Sequence, residues 1–271
     1  MVHLHDYRPV SYNSIMFSGS GRALKEPHHS SLNELICDLF VKTLKLQRNE
    51  IIFVSGPVGV GKTTFSRNLF YFLSSRGYSV CYNSLVSFPL FSYLFFKLTA
   101  ILAYGLKVVK VHDKVHIHPS TLFILRVRRL PKPVMLALTL LEVLSVMLSF
   151  YVRTIFNCVN KKVIIVDEGI INMLASYFEV FGRNILLESF IVALMKKLQR
   201  YYNLKIIYLD VKDDRMLLER WSARGYPAAT LMIKIDHHLK YTQLIRYSKA
   251  LISKIFKIIE IDNSEDPLRV D

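Results

Sequence analysis

Ile51-Ile52-Phe53-Val54-Ser55-Gly56-Pro57-Val58-Gly59-Val60-Gly61-Lys62-Thr63-Thr64 decides the fold. The run before the first glycine is short, apolar and rich in β-branched residues, the form of a strand buried on both faces. Gly56, Gly59 and Gly61 then let the backbone turn tightly and aim its N–H groups inward. From Lys62–Thr64 to about Ser75 the chain reads as a helix that stops at Gly77, and its N-terminus adds the positive end of a dipole to the loop. A strand, then G-x-x-x-x-G-K-[ST], then a helix is among the more specific short signatures, because each position has a physical task. The whole loop, Gly56, Pro57, Val58, Gly59, Val60, Gly61, Lys62, Thr63 and Thr64, is expected to cradle the phosphates of a nucleoside triphosphate, ATP. Lys62 would reach the β- and γ-phosphates, the Thr63 hydroxyl would ligate Mg²⁺, and Thr64 would support the α-phosphate.

Outward from the loop, strand and helix signals alternate. Tyr78–Tyr82, Lys162–Val166, Leu204–Leu209 and Lys257–Ile261 read as further strands. Helices are expected over about 184–202, 213–223 and 237–256, and the stretch 88–160 is mostly helical in pattern, interrupted at Pro119 and Pro131-Lys132-Pro133. Such alternation implies a parallel sheet with helices on both faces, an α/β fold whose ligands sit beyond the carboxyl ends of the strands. The glycine loop, Asp167 and Asp210 all fall at such ends. Residues 1–48 read as an N-terminal extension, with an amphipathic helix after the capping-box form Ser31-Leu32-Asn33-Glu34; residues 49–271 read as one domain carrying the helical insertion 88–160.

Asp167 closes a strand of apolar residues, the Walker-B arrangement, and a carboxylate there can hold Mg²⁺ directly or through water. Glu168 has three readings: orienting a water, acting as base toward an acceptor hydroxyl, or sitting in the first turn of a helix. Arg220 and Arg224 stand four apart on a helical stretch, so they can converge on one anion. Fixed guanidinium charge suits the charge that builds up during phosphoryl transfer. His112, His116 and His118 lie in an alternating Val-His-Ile-His context ending at Pro119 and read as a polar loop rather than a metal site.

Composition sets the outer bounds. The 271 residues are 52% hydrophobic and carry a formal net charge of +15, which favours anionic partners. Lys and Arg are spread along the chain, which reads as a generally basic surface without a specific nucleic-acid site. Cys37, Cys81 and Cys158 stand far apart, arguing for a reduced compartment and against a disulfide framework. Met1–Asp6 lacks a basic segment followed by an apolar run, so no signal peptide is expected and the chain reads as cytoplasmic. The run Val134–Phe150 is almost wholly apolar, broken by Glu142. At about 1.5 Å per residue it spans about 25 Å, short of a hydrocarbon core of about 30 Å. It reads as a buried or membrane-surface helix before a spanning one, which leaves peripheral membrane or protein contact through 88–160 open, and a homodimer with it.

Three stretches together resemble the P-loop kinases of the nucleoside-monophosphate kinase group, thymidylate kinases most of all. They are Gly56–Thr64 in its setting; Ile206-Ile207-Tyr208-Leu209-Asp210-Val211 followed by Leu218-Glu219-Arg220-Trp221-Ser222-Ala223-Arg224-Gly225; and Ile259-Glu260-Ile261-Asp262-Asn263. The resemblance covers the chain from about residue 49 and implies a P-loop NTPase fold and ATP-dependent transfer to a small-molecule phosphate acceptor. It also implies that Arg220 and Arg224 belong to a lid over the triphosphate, with Lys62, Asp167 and Glu168 at the reacting centre. Thymidylate kinases usually carry Asp-Arg where this chain has Asp167-Glu168, and an acidic side chain there would repel a monophosphate unless a cation offsets it. The competing reading is a P-loop ATPase that drives a partner or a membrane-associated process, with Glu168 polarising water.

Overall fold

The computed structural model describes residues 49–84, 89–104, 132–152, 163–222 and 228–264. In chain order the elements are β1 (Glu50–Ser55), α1 (Lys62–Ser75), β2 (Val80–Ser84), α2 (Leu90–Tyr104), α3 (Lys132–Phe150) and β3 (Val163–Asp167). They continue with α4 (Ile170–Phe181), α5 (Ile185–Gln199), β4 (Asn203–Asp210), α6 (Asp214–Ser222), α7 (Ala228–Ile252) and β5 (Ile258–Asp262). The strands form one sheet in the order β2-β3-β1-β4-β5, every pairing parallel.

Strand alternation sorts the core into two halves. Ile51 and Phe53 of β1, Ile164 and Val166 of β3, and Ile206 and Tyr208 of β4 face a layer built from α2, α3, α4, α5 and α7. Their neighbours Ile52, Val54, Ile165, Ile207 and Leu209 face the other way, onto Leu69 and Leu73 of α1 and Leu217 of α6. Both faces of the sheet are therefore covered, which is why the strands read as continuous apolar runs rather than as alternation. Every residue of β1 is buried, Glu50 included, whose carboxylate accepts from Lys205 Nζ at 2.9 Å.

The helix ends follow their local chemistry. α1 stops where Gly77 takes φ 80°. Its N–H donates to Ser74 O, and Tyr78 N–H reaches back to Leu73 O, the paired bonds of a Schellman ending. α5 is capped by Asn184, whose side chain accepts from the N–H groups of Leu186 and Leu187. α3 begins at Lys132 with Pro133 in its first turn, where the missing N–H costs nothing.

Three expectations are corrected or extended. The apolar, largely buried helix α4 directly follows Gly169, a helix raised above only as one of three options for Glu168. α7 starts near Ala228 rather than near His237. Cys81 on β2 is disulfide-bonded, where separate thiols were expected. The extension 1–48, the histidines 112, 116 and 118, and Arg224 also lie outside the described residues.

Among the described residues one helix is long and apolar enough to cross a membrane, Pro133–Phe150. Its Glu142 is fully buried and accepts a 2.7 Å hydrogen bond from Tyr177 OH on α4. Burial and this carboxylate push the Tyr177 phenol well above its ordinary value.

Candidate functional site

The loop between β1 and α1 is held from several sides. Gly56 has φ 150°, and a Cβ there would stand 2.2 Å from Leu209 O on β4, so no side chain fits. The side-chain amide of Asn172, on α4, pairs with the Gly56 backbone in both directions. Gly56 N–H donates to Asn172 Oδ1 at 3.0 Å, and Asn172 Nδ2 donates to Gly56 O at 2.9 Å. Val60 is anchored in the core, and its carbonyl accepts from Asn263 Nδ2 at 2.6 Å. Lys62 Nζ donates to Pro57 O at 3.0 Å, within the loop itself. Thr63 and Thr64 are exposed on the first turn of α1, where backbone N–H groups have no intrahelical acceptor and the dipole favours anions.

The carboxyl end of β3 lies against this loop. Asp167 pairs in register with Val54, two residues before Gly56, and Gly169 N–H donates to Val54 O at 2.8 Å. Asp167 is 3% exposed. One of its oxygens accepts from Tyr82 OH at 2.9 Å and the other from Glu168 N–H at 2.9 Å. Burial and the neighbouring Asp167 push the Tyr82 phenol up, so it stays a donor to the carboxylate across the neutral range. Glu168 adopts left-handed backbone, φ 55°, and its side chain is exposed. A non-glycine residue in that region is held there by its surroundings at a cost of about 1–2 kcal/mol. Those surroundings are the two N–H bonds just named and Gly169, where a Cβ would come within 2.9 Å of Phe53 Cβ and of Ser55 Oγ. Glu168 thus precedes α4, whose N-cap is Gly169, and is not part of its first turn.

Arg220 approaches from α6. Its Nη2 donates to Asn263 O at 3.1 Å, and Asn263 is the residue that also grips Val60 O. Asn263 N–H in turn donates to Asp210 O at 2.8 Å, fixing the chain after β5 to the end of β4. Asp210, unlike Asp167, is taken up by an ion pair: Arg246 Nη2 lies 3.3 Å from it and 2.6 Å from Asp214. A small hollow beside Val58 is lined by Leu217 and Leu218 of α6 and by His238, Leu239 and Thr242 of α7. It is mostly apolar and holds neither carboxylate of the β3 end.

The sheet therefore brings the glycine loop, Lys62 and Asp167 together and sets Arg220 one residue away from the loop through Asn263. Chemically, this is a glycine loop, a lysine and a helix N-terminus, with a buried carboxylate beside it and a hydroxyl at Thr63. Such a donor set fits a magnesium-bound polyphosphate. Asn172 and Tyr82 are functional-site neighbours that the sequence did not single out, because each acts across a long separation.

This is an α/β P-loop fold. Solved structures similar to it include a thymidylate kinase from Ehrlichia chaffeensis, at 16% sequence identity and a TM-score of 0.42, covering 83% of this chain and 92% of that one. Another is a deoxyadenosine kinase from M. mycoides with bound dATP, at 13% identity and a TM-score of 0.40, covering 80% of this chain and 92% of that one. No family model matches the chain, and no curated protein matches it by sequence.

Proposed function

We propose that this chain transfers a phosphoryl group from ATP to a small acceptor. The observation that carries the reading is the joint placement of the Gly56–Thr64 loop, Lys62 and the buried Asp167 at the carboxyl ends of β1 and β3. Mg²⁺, when bound, would neutralise charge on the transferring phosphate; Thr63 and Asp167 are the residues to hold it. The loop N–H groups orient the triphosphate, and Lys62 exchanges Pro57 O for phosphate oxygens. Tyr82 fixes the rotamer of Asp167 by its hydrogen bond. Arg220 supplies positive charge from the α6 side, and Arg224, outside the described residues, is the second arginine that the resemblance implies. Glu168, exposed at the turn, accepts the proton of an acceptor hydroxyl in this reading. Positioning and charge stabilisation account for most of such catalysis.

The test is ADP formation from Mg-ATP with and without a panel of nucleosides, nucleoside monophosphates and sugars. Acceptor-dependent ADP supports the proposal, and Lys62→Ala should abolish it. Arg220→Ala should lower kcat more than it weakens ATP binding. ADP formed equally without any acceptor would replace the kinase by an ATPase, with Glu168 as the residue that polarises water.

A further inference from the structure

Helix α3 is apolar on both sides. The side it turns to the protein carries Leu138, Val146 and Phe150 in the core, and all of its buried polar residues, Thr139, Glu142, Ser145 and Ser149. Thr139 accepts from Asn184 Nδ2 at 3.0 Å, Glu142 accepts from Tyr177 OH, and Ser145 Oγ donates to Leu141 O at 2.7 Å. The side it turns outward carries Leu136, Leu140, Leu144 and Leu148, between 43% and 60% exposed. A helix facing water carries polar residues on that side. Helix α2 packs alongside and extends the same surface, with Phe91, Leu94, Leu98 and Leu102 exposed at helical spacing. Two adjacent helices thus present a continuous leucine-rich face larger than scattered apolar residues would give.

We propose that this face lies on the surface of an anionic lipid bilayer. Charge selects this occupant. Residues 89–162 hold eleven Lys and Arg against two Asp and Glu, nine of the chain's fifteen net positive charges. Arg126, Arg128, Arg129 and Lys132 precede the leucine face in the chain, and Arg153, Lys161 and Lys162 follow it. The acidic residue within α3, Glu142, is turned inward. Apolar burial flanked by basic residues is the pattern of an interfacial helix, which adds attraction to anionic headgroups to the transfer of its apolar side chains. A second copy of this chain carries the same net charge of +15, and that repulsion opposes the pairing of two copies on this face. Glu142–Tyr177 and Thr139–Asn184 tie α3 lengthwise to α4 and to the start of α5, so it lies along the protein rather than across the bilayer; spanning would break both ties.

The experiment is flotation of the full chain with vesicles of phosphatidylcholine alone and of phosphatidylcholine with phosphatidylglycerol, with sedimentation velocity on the same sample. Binding is expected to the anionic vesicles, at least tenfold weaker to the neutral ones, and weaker at 1 M salt, where screening is nearly complete. Leu140→Glu with Leu144→Glu should reduce binding at least tenfold while circular dichroism and Mg-ATP binding stay unchanged, since both side chains are exposed. Absence of vesicle binding, equal binding to neutral and anionic vesicles, or binding that survives the double substitution overturns the proposal. A dimer that the double substitution dissociates, without vesicle binding, assigns the face to a second copy instead.

Discussion

Replacing Asn172 by Ala tests whether the phosphate loop is shaped from α4. The side-chain amide makes two buried hydrogen bonds to Gly56, at 3.0 and 2.9 Å. Truncation removes both and leaves a buried N–H and a buried C=O without partners. Each bond contributes about 1 kcal/mol net, and each orphaned group costs about 1–3 kcal/mol. With partial relaxation the loss comes to about 2–4 kcal/mol. In urea, with a slope of about 3 kcal/mol/M, the midpoint should fall by about 1 M. Gly56 begins the loop, so a fluorescent ATP analogue should bind at least tenfold more weakly. Asn172→Asp separates shape from charge. Its carboxylate can still accept from Gly56 N–H but cannot donate to Gly56 O, and it places a negative charge near the phosphates. It should therefore lose more nucleotide affinity than Asn172→Ala for a similar change in stability. An Asn172→Ala protein with the wild-type urea midpoint and wild-type affinity would refute the reasoning.

Two further outcomes are expected. Gly169→Ala should destabilise by about 1–3 kcal/mol, as overpacking against a backbone-proximal atom does, because the new Cβ meets Phe53 Cβ at 2.9 Å; thermal unfolding reads this, and a melting temperature at or above wild type counts against the tight turn. Burial pushes Glu179 from 4.5 up to about 7, so its contribution to stability is fully present below pH 4.5 and lost as pH rises through 7, a change of about 3 kcal/mol at most. His237 Nδ1 lies 3.0 Å from its carboxylate. Glu179→Gln should flatten the slope of stability between those values, and an unchanged slope would exclude Glu179 as its source.

The sheet was legible because β1, β3 and β4 are buried on both faces and so read as unbroken apolar runs bounded by glycine or aspartate. The loop was legible because its glycines, Lys62 and Thr63 lie within nine consecutive residues. Asn172 was not, since its partner Gly56 is 116 positions away and an asparagine in an apolar stretch gives no local sign of what it binds. Tyr82 and Asp167 are likewise 85 positions apart. α4 was anticipated only as a helix start at Glu168, because nine of its twelve residues are buried and a stripe that broad reads as an apolar run before it reads as a helix. The leucines of α3 were visible as a run, but only the fold reveals that Glu142 points inward and Leu136, Leu140, Leu144 and Leu148 outward.

The Asn172–Gly56 bridge also sets a timetable. On the ribosome β1 and its loop emerge 116 residues ahead of the amide that shapes them. At about 5–20 residues per second that is a wait of about 6–23 s. During it an apolar strand has neither of its neighbours, β3 and β4, to pair with. The central strand of the finished sheet, Ile51–Val54 included, therefore waits unpaired on the nascent chain until β3 and β4 follow.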